Sequence, residues 1–135
     1  MNQNNQDLGK LVLRLSLGLL VLLHGVAKIT GGIGFITQVV QDAGLPGFLA
    51  YGVYVGEVVA PVMVILGLHA RLGAAVIAFN MLVAIFLVHS AELFALGQTG
   101  GWALELQGMF LFSAVAVALL GAGRYSVGGE RGRFN

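Results

Sequence analysis

Cysteine is absent from this chain, which excludes disulfides, thiolate nucleophiles, iron–sulfur clusters and cysteine-ligated zinc as properties of this subunit alone. Any redox role therefore needs a bound cofactor or a partner. Charge is almost as scarce. Asp, Glu, Lys and Arg make up 10% of the 135 residues, against about 25% in soluble domains. The net charge of +1 gives no reason to expect nucleic acid as a partner. The spacing of a helical metal motif of the H-x-x-E-H kind is also missing, so no metal site is expected, although two His and two carboxylates fall close together in the layer described below.

Hydrophobic residues make up the bulk of the chain, 58% of it, with a mean hydropathy of +0.91. They gather in four runs, Leu8–Ile29, Gly52–Leu68, Leu72–Ser90 and Leu104–Leu120. Each approaches the roughly 17–25 residues that cross a bilayer. The expected fold is all-α: one domain over residues 1–135, a polytopic four-transmembrane-helix bundle. The first run sits where a signal peptide would, but it lacks a small-x-small cleavage site and carries Arg14, His24 and Lys28. A retained first helix is expected. The 21 glycines suit close helix packing in lipid, Gly52-x-x-x-Gly56 among them.

The connections have patterns of their own. His69–Arg71 is a tight turn that makes helices two and three an antiparallel hairpin. Between helices one and two, Phe35, Ile36, Val39, Val40 and Ala43 recur at helical spacing opposite Gln38, Gln41 and Asp42. This predicts a short amphipathic helix lying in the membrane interface, stopped by Gly44 and Pro46. Glu92–Ala103, with Gly97, Gly100 and Gly101, reads as a flexible loop, and Trp102 as an interfacial anchor.

Lys10, Arg71, Arg124, Arg131 and Arg133 fall on one side of a four-span topology, with Arg14 near them. Lys28 alone falls on the other. The positive-inside rule then predicts cytoplasmic termini. In that orientation four helices bring His24, Lys28, Glu57, His89 and Glu105 to one layer in the outer half of the membrane. Glu57 lies about five residues, or roughly 7–8 Å, below the surface. A polar pocket is expected there, roofed by the amphipathic segment.

Each of these residues also has a plainer reading. Lys28 can snorkel to headgroups while His24 bonds a neighbour. Glu57 can form a structural ion pair with Arg14 or Lys28. Glu105 can be a solvated helix start, favoured by the helix dipole, and His89 an interfacial residue. Arg14 is expected to snorkel to cytoplasmic phosphates, although it shares a face with Gly18, Val21, Gly25 and Lys28 that would line a bundle. Asn80 reads as an interhelical hydrogen bond.

Several stretches together resemble the DoxX family of small four-helix membrane proteins. They are Arg14 followed by His24-Gly25-Val26-Ala27-Lys28; Gly44-Leu45-Pro46; Gly56-Glu57, Leu66-Gly67-Leu68 and Arg71; Glu105; and Gly121-Ala122-Gly123-Arg124-Tyr125-Ser126-Val127. The family pattern often continues with Asp where this chain has Gly128. The resemblance implies a bacterial inner-membrane protein of the kind described as an oxidoreductase or quinone-linked subunit.

Two functions from different classes follow. In the first, the chain is a membrane subunit of a quinone-linked oxidoreductase system. His24 and His89, with Lys28, bind the cofactor, and Glu57, Glu105 and His24 handle protons. Its partners are then the lipid bilayer, a quinone, a redox protein and a second copy of the chain. In the second, it is a non-enzymatic scaffold or assembly factor whose buried charges only fix helix register.

Overall fold

A computed structural model describes residues 2–135. Helix α1 covers Gln3–Gly31, starting where the Asn2 side chain accepts a hydrogen bond from the Asn4 amide (3.1 Å). Its 29 residues reach about 44 Å at 1.5 Å per residue, well beyond a hydrocarbon core of about 30 Å. The polar first turns of α1 therefore project past the apolar run. A short helix, α2, covers Gly34–Asp42. Helix α3 runs from Gly47 to Leu66, five residues earlier than the apolar run begins. Pro46 supplies its cap position, and the carbonyl of Pro46 accepts from the Leu49 amide at 3.1 Å, so the helix opens as a 3₁₀ turn. Helix α4 spans Ala70–Val88 and α5 spans Glu105–Leu120.

Within α3 the chain changes pitch. Val55–Val59 form a π turn, closed by the Ala60 amide on the Val55 carbonyl. Pro61 explains it. An α-helix would ask residue 61 to donate to the Glu57 carbonyl, but proline has no N–H and its ring crowds that carbonyl. Widening the turn relieves the crowding. The regular helix then resumes until Gly67, which ends it in the left-handed region at φ 68°. His69 follows at φ 52°, completing the tight connection to α4.

All four long helices contribute to one core, built from Leu17 and Val21, Ala60 and Val64, Ala74, Ile77 and Met81, and Phe110, Ala114 and Val117. Among the described residues, α1, α3 and α4 are long and apolar enough to cross a membrane, and α5 is apolar but shorter. Large side chains such as Leu23, Phe79, Phe86, Phe112 and Leu119 are exposed on the outside, as lipid-facing residues would be.

The structure corrects three expectations about the periphery. Arg14 does not snorkel: it is 1% exposed. Its Nη1 donates to the Val64 and Ile65 carbonyls (2.9 and 3.3 Å) and its Nη2 to the Tyr125 carbonyl (2.5 Å). It caps the C-terminal end of α3, where carbonyls lack intrahelical partners, and holds the tail against it. Segment 92–103 is a folded loop rather than a loose one. Leu96 and Trp102 pair across it, and the Ala103 amide reaches the Ala95 carbonyl at 3.0 Å. Trp102 anchors to protein, donating from Nε1 to the Leu93 carbonyl (2.8 Å) and lying against Gly108 of α5.

The tail folds back across the helix ends. The Val127 and Gly128 amides donate to the Leu66 and Gly67 carbonyls (2.9 and 3.0 Å), and the Asn135 side chain accepts from the Ala70 amide (3.0 Å). A Cβ at residue 128 would lie 2.6 Å from Asn135 Nδ2 and 2.9 Å from the Gly67 carbonyl. A side chain at residue 128 would have to displace the Asn135 side chain and crowd the Gly67 carbonyl.

Candidate functional site

The site begins at the π turn. Widening the helix at Val55–Val59 leaves the Glu57 carbonyl facing α1, and Gly25 accepts it: a Cβ on residue 25 would collide with that oxygen. The close approach brings Lys28, one turn further along α1, over the Glu57 carboxylate. Lys28 Nζ donates to Glu57 Oε2 at 2.6 Å. From the far side, Asn80 Nδ2 of α4 donates to Glu57 Oε1 at 3.4 Å. The Asn80 side chain can sit there because residue 56 is glycine, whose Cβ would fall 2.5 Å from Asn80 Cγ. The interhelical hydrogen bond expected of Asn80 is thus made, and to Glu57. The Lys28 carbonyl also accepts from the Tyr54 hydroxyl (3.2 Å).

This pair stands at one end of a cavity of about 630 Å³. That volume lies in the roughly 300–1,000 Å³ range of small-ligand sites. Its walls come from every long helix and from α2, which supplies Phe35, Ile36, Val39 and Val40. The amphipathic segment thus covers the cavity as expected. The walls are predominantly apolar; the polar lining is confined to His24, Lys28, Glu57, Asn80, His89 and Gln107. The expected polar pocket is better described as an apolar chamber with a polar end.

Of the five residues expected to converge, four do so. His24, Lys28, Glu57 and His89 line the chamber. Glu57 is 6% exposed and otherwise enclosed. His24 is more exposed than a residue enclosed in the bundle would be, and its ring packs against Phe110 in a T-shaped contact at 5.7 Å between centroids. Glu105 does not join them. It is exposed at the first residue of α5, with its carboxylate over the backbone of Gly101. Each helical residue turns by about 100°, so Gln107, two positions on, faces the chamber instead. Gln107 was not anticipated. Its Nε2 meets His89 Nε2 at 3.4 Å, and His89 Nδ1 meets Glu92 Oε2 at 3.4 Å. A proton on Nδ1 makes both contacts donor-to-acceptor.

Chemically, the lining offers an ammonium, a carboxylate, two amides and two imidazoles beside an apolar volume. It can bind an uncharged ring bearing hydrogen-bond acceptors and exchange protons with it. Among the described residues, no three His, Cys, Asp or Glu side chains gather as metal ligands.

Comparison with known proteins agrees with this architecture. The DoxX family profile matches residues 9–90, a stretch that holds His24, Lys28, Glu57, Asn80 and His89. A protein of Bacillus subtilis (strain 168) named "Putative oxidoreductase CatD" is 30% identical over 116 residues, which cover 86% of this chain and 81% of that one. No solved structure matches. The chain belongs to the DoxX family.

Proposed function

We propose that this protein is the membrane subunit of a quinone-linked oxidoreductase system and that the chamber holds the quinone ring. The carrying observation is the Lys28–Glu57–Asn80 cluster in the lining of a predominantly apolar cavity. Ionisable groups inside a membrane are costly and mark functional positions by default. Here they meet a volume suited to a lipid-soluble ring. The CatD relative's name points to the same class of chemistry.

In this reading α5 completes a four-span bundle, α2 lies in the interface, and the chamber faces the outer leaflet of a bacterial inner membrane. The distribution of Lys10, Arg71, Arg124, Arg131 and Arg133 supports cytoplasmic termini. A bound quinone supplies two-electron chemistry, taking up two electrons and two protons to become the quinol. The electrons come from a reduced redox protein docked on the outer face, since the chain carries no redox centre of its own. The chain's residues bind and move protons. His24, whose ring nitrogens meet no other described side chain, donates to a ring carbonyl. Lys28 and Asn80 orient the Glu57 carboxylate, which passes protons to the ring from the aqueous side. Gln107 and His89 line the chamber and His89 meets the exposed Glu92, which gives protons a path outward.

The test is an organic extract of protein purified in mild detergent, followed by titration with ubiquinone analogues. Quinone in the extract and saturable binding that weakens at least tenfold in E57Q support the reading. A well-folded protein that carries no quinone and binds none overturns it in favour of a scaffold whose charges only fix helix register.

A further inference from the structure

The chamber does not close on all sides, and where it opens bears on what enters it. Val55 of α3 and Phe79 and Val83 of α4 line the cavity and are also exposed, Phe79 by 68%. The chamber therefore reaches the outside of the bundle along the seam between α3 and α4. Phe35 and Leu49, likewise exposed and likewise lining, border that opening beside α2. These five are apolar, whereas His24 of α1, also exposed and also lining, gives the chamber a separate polar side. Lips of this kind face hydrocarbon without cost, whereas an aqueous mouth would carry polar side chains.

Gly52 lies one turn before Val55 and on the same face of α3. It lines the cavity, is exposed, and has a helical backbone. A Cβ built on it would find no atom within 4 Å. Its partner in the G-x-x-x-G spacing behaves differently. Gly56 is buried, and its missing side chain is filled by Asn80. Only one of the two glycines therefore serves helix packing. The other leaves a gap. In a helix interior glycine is less favourable than alanine, and at Gly52 neither a left-handed backbone nor a crowding neighbour offsets that cost.

We propose that Gly52 keeps open a lateral portal between α3 and α4 through which the apolar tail of a membrane-dissolved amphiphile leaves the chamber while its ring stays at the Lys28–Glu57 end. This rests on the quinone reading and adds to it. The ligand is a long-tailed quinone taken from the lipid phase rather than a water-soluble ring, and Gly52 determines specificity for the tail.

The experiment uses the full-length protein in nanodiscs, with decylubiquinone and its tail-less parent ring as probes. The wild type is expected to bind the tailed probe more tightly. Gly52→Phe fills the gap and should lower the ratio of tailed to tail-less affinity at least tenfold. Val83→Phe, reaching in from the opposite lip, should lower it in the same direction. That second variant keeps the test decisive if Gly52→Phe fails to fold. An unchanged ratio in both variants overturns the portal while leaving the quinone site standing. A wild type that binds neither probe overturns both.

Discussion

Removing the guanidinium of Arg14 should unfasten the tail from the C-terminal end of α3, by an amount the structure allows us to work out. Its three hydrogen bonds run to the Val64, Ile65 and Tyr125 carbonyls. Hydrogen bonds to charged groups contribute about 1.5–3 kcal/mol each, a gross gain of about 4–9 kcal/mol. Against it stands the cost of burying a cation, several kcal/mol. The net value of the residue is thus modest, but the cost of truncation is not. R14A strands three acceptors and leaves a void beside Gly67, whose Cβ position lies against the guanidinium. We expect a loss of about 3–5 kcal/mol, as for breaking other buried charged contacts. That is a large part of an ordinary stability of about 5–15 kcal/mol. R14K should recover less than half, because one ammonium cannot span the α3 carbonyls and Tyr125 together. Thermal melting in detergent measures the loss, and limited proteolysis should cut the tail of R14A first. Should R14A melt within about 0.5 kcal/mol of wild type, as a surface substitution does, the buried strut is wrong and the side chain snorkels after all.

Three further outcomes follow from the same contacts. K28M and E57Q should each destabilise by about 1–3 kcal/mol, less than the 3–5 of a fully buried pair, because the Lys28 side chain keeps 23% exposure. The double variant should recover part of this, and additivity within about 0.5 kcal/mol would mean that the pair contributes no coupling. G25V should cost about 1–3 kcal/mol from overpacking and should weaken quinone binding, since it pushes α1 off the Glu57 carbonyl; a melting temperature equal to wild type contradicts that. A C-terminal green fluorescent protein fusion should fluoresce and an alkaline phosphatase fusion at the same point should be inactive; the reverse pattern refutes the orientation.

The apolar runs, the α2 segment and the convergence of His24, Lys28 and Glu57 were legible in the sequence because they depend on period and depth, which survive small boundary errors. Facing direction does not survive them. Glu105 and Gln107 lie two residues apart on α5, yet one faces out and the other lines the chamber, and no periodicity in so uniformly apolar a helix could choose between them. Arg14 was misjudged for a related reason. Its burial depends on carbonyls some 50 and 110 residues away, and on a tail whose fold over the helix ends has no hydrophobic signature. Nor could composition reveal the order of segment 92–103, which is held by backbone hydrogen bonds between residues that read as turn formers.

Pro61 is the residue on which the geometry of the site turns, although it touches neither the chamber nor a ligand. Without it, the amide of residue 61 could donate to the Glu57 carbonyl, and Val55–Val59 could wind as an ordinary α-helix. A π turn holds one residue more than the α turn it replaces, so its loss changes the register across it by about 100°. The segment after the turn is fixed by Ala60 and Val64 in the core. The rotation would therefore fall on the segment before it, taking Glu57 away from Lys28 and Gly52 away from the α3–α4 seam. P61A should accordingly lower quinone affinity at least tenfold and, because the rotation also breaks the Lys28–Glu57–Asn80 contacts, lower stability by about 1–3 kcal/mol, offset in part by the better helix propensity of alanine. A P61A protein that binds as wild type would show that Gly25 and Asn80 hold the π turn unaided, and that proline is not its cause.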